Sequence, residues 1–232
     1  TATSQGAAAV EHMQSGRVQD SKTAVFAEEK VANGAGLTTD IFVYSNGTLR
    51  NLALDGADTA SHSTYRPVAV YASDVNGDGI TELPHAVLMA GYKDTSSSDA
   101  VYMLDWYAYG IGKVPTKVAT TYQNISDAWS LLIDQKWHDR ITAIKANDGG
   151  LSYVEFFEYR KDKMSIPLFN IYCATGSNRE YYAERTDLIQ LGQTTQAIYF
   201  AKLTNEGEQS ELALTGDEIK ARFSLVNQAW NN

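Results

Sequence analysis

Short runs rich in Val, Ile, Tyr and Ala, separated by polar turns, recur along this chain and predict β-strands. In the run DIFVYSNGTLRNLAL, Asn46 and Gly47 lie between two such stretches. Asn-Gly supplies the positive φ angles that a tight turn requires, so this run predicts a β-hairpin. Further strands are predicted in YRPVAVYAS, ELPHAVLMAGY and AVYMLDWYAYG. Residues 7–14, AAAVEHMQ, predict a short helix instead.

From about Val118 onward the chain gives at least five further strand candidates and one helix near its end. The strand candidates include LSYVEFFEYR, LFNIYCAT, DLIQLG and AIYFAKL. The helix is predicted to begin at Thr215, whose hydroxyl caps free backbone N–H groups while Glu218 reaches back in a T-x-x-E capping box. Its apolar residues follow at helical spacing on one face: Ile219, Phe223, Val226 and Trp230. That face is expected to pack on the sheet.

Together these elements predict an α+β fold that is rich in β-structure. The first predicted domain, residues 1–117, is an antiparallel β segment. The second, residues 118–232, is an antiparallel sheet with a packed terminal helix, and the boundary falls near GIGKVPTKV. At 232 residues with 44% hydrophobic content, the chain is long and apolar enough to bury a substantial core.

The charge, the hydrophobic runs and the cysteine content indicate which kinds of partner and location are expected. The 19 Lys and Arg against 28 Asp and Glu give a net charge of -9, which repels a phosphate backbone, so nucleic acid is not an expected partner. No apolar run approaches the roughly 20 residues that span a bilayer, so no transmembrane segment is expected. The single cysteine, Cys173, is expected to be a small buried hydrophobic residue. Because the chain begins at Thr1 rather than Met, we expect a processed piece of a longer product.

The stretch SDVNGDGITELP, residues 73–84, has the composition of a calcium loop. Calcium takes about six to eight oxygen ligands, and alternate residues of a short loop supply them around a bend that glycine permits. Five ligands are predicted here: Asp74, Asn76, Asp78, the carbonyl of Ile80, and Glu82. The alternative is a bare Asn-Gly-Asp-Gly turn that holds no metal. Because such an oxygen cage leaves no open position, the ion is expected to be structural rather than catalytic.

The loop resembles the calcium loops of FG-GAP repeats, which occur in integrin alpha propellers and related bacterial surface proteins. The pattern D-x-N-x-D-G-x-x-E between two strands carries this resemblance. An EF-hand or dockerin is disfavoured, because His85 occupies loop position 12 and prolines and strands flank the loop. The resemblance implies calcium bound by the five ligands above and an N-terminal segment resembling part of a propeller. A closed propeller needs more strands than residues 1–117 can hold.

A second resemblance lies in YQNISDAWSLLIDQKWHDRITA, where Tyr122, Asn124, Trp129 and Trp137 are similar to the opening of PsbP and Mog1-type domains. It implies a sheet flanked by helices with a binding or assembly role and no catalytic residues. Taken as a whole, the chain is similar to surface lipoproteins of Gram-positive gut bacteria that pair an FG-GAP-like segment with such a tail. This implies an extracellular or cell-surface location, with a lipid anchor in the full-length precursor.

Signatures of catalysis are weak, so no catalytic residue is assigned. The histidines show no zinc-binding spacing: His12, His62, His85 and His138. Glu155 and Glu158 are three positions apart, and this odd spacing points them to opposite faces of one strand and away from a glycosidase pair. DWYAYG supplies a candidate ligand-binding cluster of Trp106, Tyr107 and Tyr109, since aromatic rings can stack on sugars.

These observations predict a non-enzymatic extracellular or cell-surface module, stabilised by calcium, that binds a protein or a glycan. The alternative is a hydrolase acting on polysaccharide or peptide, with catalytic carboxylates brought together from distant strands. Turnover on chromogenic substrates would distinguish the hydrolase from the binding module.

Overall fold

The computed structural model describes residues 3, 7–32, 36–54, 64–92, 100–148, 151–161 and 163–226 of the chain. Within these residues the fold is β-rich and its strands form three antiparallel sheets. The strands are β1 (Ala7–Arg17), β2 (Thr23–Val31), β3 (Leu37–Ser45), β4 (Thr48–Asn51), β5 (Glu82–Leu88), β6 (Tyr102–Ala108), β7 (Thr116–Asn124), β8 (Trp129–Leu132), β9 (Ile141–Asp148), β10 (Leu151–Glu158), β11 (Ile166–Thr175), β12 (Ile189–Gln193), β13 (Ala197–Leu203) and β14 (Phe223–Leu225). The α-helices are α1 (Arg179–Ala183) and α2 (Gly216–Arg222), and 3₁₀ turns occur at Gln19–Ser21, Gln135–Trp137, Gly176–Asn178 and Gly207–Gln209.

The sheets are built mainly from strands that follow one another in the chain. One sheet has four strands in the order β1-β2-β3-β4. A five-stranded sheet has the order β12-β13-β11-β10-β9, and another has the order β14-β8-β7-β6-β5. The prediction of a β-rich chain of antiparallel strands is therefore confirmed.

The chain divides into two compact units. Unit 1 comprises Thr1–Val87 and Leu104–Thr120, and unit 2 comprises Leu88–Met103 and Thr121–Asn232. Strands β5, β6 and β7 each contribute residues to both units. A unit assembled from separate chain segments depends on contacts between residues distant in sequence, which local patterns do not reveal.

In unit 1 the predicted hairpin is confirmed. Ser45 and Thr48 face each other at the ends of β3 and β4, and Asn46 and Gly47 between them have φ angles of 51° and 78°. Both values lie in the left-handed region that a two-residue hairpin turn requires. The main core of this unit comprises Val18, Ala24, Phe26, Ile41, Val43, Leu52, Ala53, Ala72, Leu83 and Tyr109.

Residues 7–14 form the beginning of β1, so the helix predicted there is wrong. β1 pairs with β2 along its length, from Ala7 opposite Val31 to Arg17 opposite Thr23. Alanine favours helix, but a short isolated helix is marginal in water. The antiparallel ladder with β2 provides the backbone hydrogen bonds and decides the structure.

The core of unit 2 is built around contacting aromatic rings. The ring centroid of Tyr122 lies 5.4 Å from that of Trp129 and 5.3 Å from that of Phe156, and Phe156 lies 4.9 Å from Phe169. These four side chains are almost completely buried. Burying several large aromatic side chains together is a major source of stability for a small unit.

Helix α2 begins as the capping box predicts. The Thr215 hydroxyl accepts the Glu218 N–H at 3.2 Å, and Glu218 Oε2 accepts the Thr215 N–H at 2.8 Å. Ile219, the first residue of the predicted apolar face, is fully buried in the core of unit 2. The N-terminal half of this prediction is confirmed.

The helix ends at Arg222, so the predicted continuation through Phe223 and Val226 is wrong. Phe223 begins β14 and faces Leu131 of β8, and its ring packs 5.9 Å from Trp129 and 5.6 Å from Tyr199. With an extended backbone, Phe223 packs in the aromatic core and β14 forms hydrogen bonds with β8. These two contributions stabilise the strand more than a further helical turn would stabilise the helix. The remaining residue of the predicted face, Trp230, lies outside the described residues.

Candidate calcium site

The predicted calcium loop lies in unit 1 between a β-bridge and the body of β5. Ser73 and Glu82 form the bridge, with the Ser73 N–H donating over 3.0 Å and the Glu82 N–H over 2.9 Å. Gly77 and Gly79 have φ angles of 77° and 82°, where a side chain would strain the backbone. The bridge therefore holds the two ends of the loop side by side, and the loop turns at the two glycines.

Asp74 organises the inside of this loop. Its Oδ1 accepts the backbone N–H of Gly77 at 2.8 Å and of Asp78 at 3.1 Å, and its Oδ2 accepts the N–H of Gly79 at 2.8 Å. A carboxylate that accepts several backbone N–H groups holds the loop in one turn conformation. The first predicted ligand therefore lies at the centre of the loop.

Asn76 and Asp78 lie on the same turn and contact each other. Asn76 Nδ2 donates to Asp78 Oδ2 at 3.0 Å, while Asn76 Oδ1 accepts the Asp78 N–H at 3.0 Å. Asp78 Oδ1 accepts the Ile80 N–H at 2.8 Å. These bonds are solvent-exposed, and with those of Asp74 they account for the turn without any ion.

Glu82 is the loop residue that a bare turn does not explain. It is fully buried, and its Oε2 accepts the Val75 N–H at 3.0 Å. Its Oε1 has no hydrogen-bond partner among the described residues. Burial raises the pKa of Glu82 to about 7, the Val75 N–H opposes that rise, and the nearby carboxylates of Asp78 and Asp74 add to it. A buried carboxylate oxygen without a partner is costly unless a cation compensates its charge.

The donor atoms at this loop suit a hard divalent cation. Asp74, Asp78 and Glu82 supply carboxylates and Asn76 supplies an amide oxygen, which are the ligands that Ca²⁺ prefers. Asp74 Oδ1 already accepts two N–H groups, whereas Asp74 Oδ2, Asp78 Oδ1 and Glu82 Oε2 each accept one and keep a second lone pair. Within the described part of the chain, no three His, Cys, Asp or Glu side chains form a ready-made metal-binding group. Coordination therefore requires the exposed loop side chains to turn toward Glu82.

The base of the loop is tied to β2 through Glu28. The Ala72 N–H, two residues before Asp74, donates to Glu28 Oε1 at 2.7 Å, and Glu28 is itself paired with Arg66. Sequence reasoning did not find Glu28 or Arg66. The available signal was a charged residue inside an apolar strand, in FAEEKV, which alone does not reveal a partner.

The aromatic cluster of DWYAYG is mostly inside unit 1. Trp106 is fully buried, Tyr109 is 3% exposed, and Tyr107 is half-buried. A ring without an exposed face cannot stack on a sugar, so Tyr107 is the only one of the three that presents partly exposed surface. His85, at loop position 12, lies with its Nε2 3.0 Å from the Tyr109 hydroxyl and its ring 4.8 Å from that of Tyr107.

The other candidates from the sequence are engaged elsewhere. The His12 ring lies 4.7 Å from the ring of Tyr71, and His62 lies outside the described residues. Glu155 accepts a hydrogen bond from Asn170 Nδ2 at 3.4 Å. Glu158 lies beside cationic side chains, 3.6 Å from Arg160 Nε and 4.0 Å from Arg140 Nη2.

Comparison of the chain with protein-family models, with curated proteins and with solved structures gave no match. Among the described residues, no helix is long and apolar enough to cross a membrane. The functional argument therefore depends on the chemistry of the side chains described above.

Proposed function

We propose that this protein is a calcium-stabilised, non-enzymatic binding module of the extracellular space or cell surface, whose target is a protein or a glycan. The observation that carries the calcium assignment is Glu82, a fully buried carboxylate whose Oε1 has no partner among the described residues. It lies at the end of a loop that also carries two aspartates and an asparagine, Asp74, Asp78 and Asn76.

Calcium would be held by oxygen ligands alone: Asp74, Asn76, Asp78, Glu82 and the carbonyl of Ile80. Three carboxylates leave one excess negative charge around a divalent ion, which favours binding. The ion would replace the missing partner of Glu82 and reduce the repulsion between Glu82 and the two aspartates. A turn that binds no metal does not require a third carboxylate, and it does not require that carboxylate to be buried.

The proposed role of the ion is structural. The Ser73–Glu82 bridge closes the loop, and the Ala72 N–H joins its base to Glu28 in the interior of unit 1. An ion coordinated by Glu82 would therefore hold the exposed turn against the buried base of the loop. Binding of this kind adds to folding stability because the unfolded chain has no preformed site.

An extracellular location is consistent with the ligand set. Calcium modules outside the cell commonly bind with dissociation constants of about 10⁻⁴ to 10⁻³ M, weaker than intracellular sensors. A loop with exposed aspartates and no bidentate Glu at position 12 suits that range. The resemblance of the loop to FG-GAP repeats supports the same location and suggests that unit 1 corresponds to part of a propeller-like array.

Thermal unfolding with calcium, magnesium and a chelator tests the proposal. Calcium at about 100 times its dissociation constant should add about 2.7 kcal/mol to the free energy of unfolding. Magnesium should add less because it demands a smaller octahedral site. The variant Asp74→Ala/Asp78→Ala should lose the calcium response. A matched pair of exposed acids in unit 2, Glu206→Ala/Glu208→Ala, should keep it. If calcium does not change the melting temperature of the wild-type protein, the proposal is contradicted.

A further inference from the structure

In unit 2, the sheet of β9 to β13 has a core face and an outer face. Val154, Phe156 and Ile171 of the central strands are fully buried on the core face. Side chains alternate along a strand, so their neighbours in sequence lie on the outer face. The outer residues of these strands are partly exposed: Tyr153, Glu155, Asn170 and Tyr172.

Tyr153 and Tyr172 form an aromatic pair across two strands of this outer face. They are directly opposite in the β10–β11 register, with ring centroids 5.3 Å apart and planes inclined by 32°. The next residue in this cross-strand row is Phe200, which faces Tyr172 but is only 2% exposed. Because Phe200 is buried, the partly exposed part of this row is the tyrosine pair.

A polar row lies beside the aromatic pair. Glu155 faces Asn170, and Asn170 faces Lys202 on the next strand. These residues are two positions along the strands from the tyrosines, roughly 7 Å, and neighbouring strands are about 4.8 Å apart. Glu155, Asn170 and Lys202 therefore form a cross-strand row of residues next to the row that contains the two tyrosines.

Hydrogen bonds hold these groups in place. Asn170 Nδ2 donates to the Tyr172 hydroxyl at 3.0 Å and to Glu155 Oε1 at 3.4 Å. The Lys202 ammonium lies 3.4 Å from Asp187. Side chains that are oriented before a ligand arrives lose less conformational entropy on binding.

We infer that this outer face binds a neutral glycan, with a sugar ring on Tyr153 and Tyr172 and its hydroxyl groups on Glu155, Asn170 and Lys202. Sugars present C–H groups that pack on aromatic faces and hydroxyl groups that both donate and accept. The charges of Glu155 and Lys202, together with the Arg185–Asp187 pair beside Lys202, sum to zero, so the row does not select an anion. An amphipathic helix of a protein partner would require a continuous apolar stripe, which the polar row interrupts.

This inference goes beyond the calcium proposal, and the two can fail separately. The calcium loop belongs to unit 1 and the tyrosine pair to unit 2. Chelation should therefore lower the melting temperature without changing glycan binding at a temperature where the protein stays folded. Loss of the tyrosines should change glycan binding and leave the calcium response intact.

Native affinity electrophoresis tests the inference with gels that contain a soluble β-glucan, xylan, mannan or galactan. Migration of the wild-type protein should be slowed by at least one polysaccharide. Tyr153→Ala/Tyr172→Ala should reduce the affinity by about tenfold or more. Tyr44→Ala is the matched control, because Tyr44 is 69% exposed on β3 of unit 1, and it should bind as the wild type does. No retardation in any gel, or retention of binding by the folded double variant, would overturn the inference.

A second arm does not depend on the folding of variants. Nitration of surface tyrosines with tetranitromethane, mapped by mass spectrometry, should be suppressed at Tyr153 and Tyr172 by the bound polysaccharide and unchanged at Tyr44. Equal nitration with and without polysaccharide would contradict the assigned face. Retardation by xylan or mannan should disappear after periodate oxidation of the polysaccharide; persistent retardation would overturn the glycan assignment.

Discussion

Arg66 and Glu28 form an ion pair in which both side chains are fully buried. Arg66 also donates to the Val70 carbonyl at 2.5 Å and to Thr39 Oγ1 at 2.9 Å, and Glu28 accepts the Ala72 N–H at 2.7 Å. The pair therefore joins β2 and β3 to the segment that leads into the proposed calcium loop. Breaking it should affect both the stability of unit 1 and the placement of the loop.

The first prediction concerns Arg66→Met. The substitution leaves Glu28 buried without its cation, and such losses typically cost about 3–5 kcal/mol in the free energy of unfolding. Urea unfolding followed by circular dichroism measures this cost. Replacing both partners, Glu28→Leu/Arg66→Met, should cost less than the sum of the single changes, because no charge is then left unpaired.

The exposed pair Lys30–Glu11 in the same sheet is the control for this prediction. Its side chains are 61% and 33% exposed, and solvent screens such a pair. Lys30→Met should therefore change the free energy of unfolding far less than Arg66→Met does. A similar cost for Arg66→Met and Lys30→Met would show that the buried pair has no special role.

The second prediction is that Glu82→Gln has opposite consequences with and without calcium. In chelator the variant should be as stable as the wild type or more stable, because it removes a buried charge that lacks a partner at Oε1. In calcium it should lose most of the stabilisation that the wild type gains. Melting temperatures in the two buffers measure both effects.

The exposed Glu208→Gln serves as the control for Glu82→Gln. It should match the wild type in both buffers, because it neither removes a buried charge nor touches the loop. If Glu82→Gln is strongly destabilising in chelator while its calcium response is retained, Glu82 is a structural acceptor for Val75 and not a calcium ligand.

Features decided by local chemistry could be predicted from the sequence. The Asn46-Gly47 turn and the capping box of Thr215 and Glu218 each depend on residues within four positions of one another, and both are present. The turn at residues 74–79 is likewise determined locally, by Asp74, Gly77 and Gly79. The geometry of such a motif is determined by its own residues.

Features decided by distant contacts could not be predicted. Arg66 and Glu28 are 38 positions apart, and no spacing rule joins them. Helical spacing continues through Phe223, but the aromatic core and the edge of β8 impose a strand there. The exposure of an aromatic residue in a strand is equally non-local, so the sequence favoured Trp106 for binding while the structure buries it and leaves Tyr153 and Tyr172 partly exposed.

The third prediction is that substitutions in DWYAYG cost stability in proportion to the burial of the side chain removed. Trp106 is fully buried with Val70 and Leu104, so Trp106→Ala leaves a large cavity and should cost about 3–5 kcal/mol in stability. Tyr107→Ala should cost less, because that ring is only half-buried. Chemical denaturation of both variants measures the difference. Equal and small effects would contradict the packing described for Trp106.

The fourth prediction concerns the reactivity of Cys173. The residue is 4% exposed. Burial, followed by the nearby Asp127 carboxylate, raises the pKa of its thiol to about 11, although the Tyr199 hydroxyl opposes the rise. The thiolate is the reactive form, so labelling by a disulfide reagent at pH 8 should be slow in the folded protein and rapid in urea.

The same pKa shift gives a pH dependence of stability. The unfolded chain loses the Cys173 proton near the ordinary value of 9.0, while the folded protein keeps it up to about 11. Between these values the folded state binds more protons, so the free energy of unfolding should fall as pH rises through this window. Tyr199, whose pKa burial raises to about 12, acts in the same direction at higher pH.

Cys173→Ala should flatten the first part of this decline in urea unfolding measured from pH 8 to 11. An unchanged slope, or rapid labelling of the folded protein at pH 8, would show that the thiol is accessible.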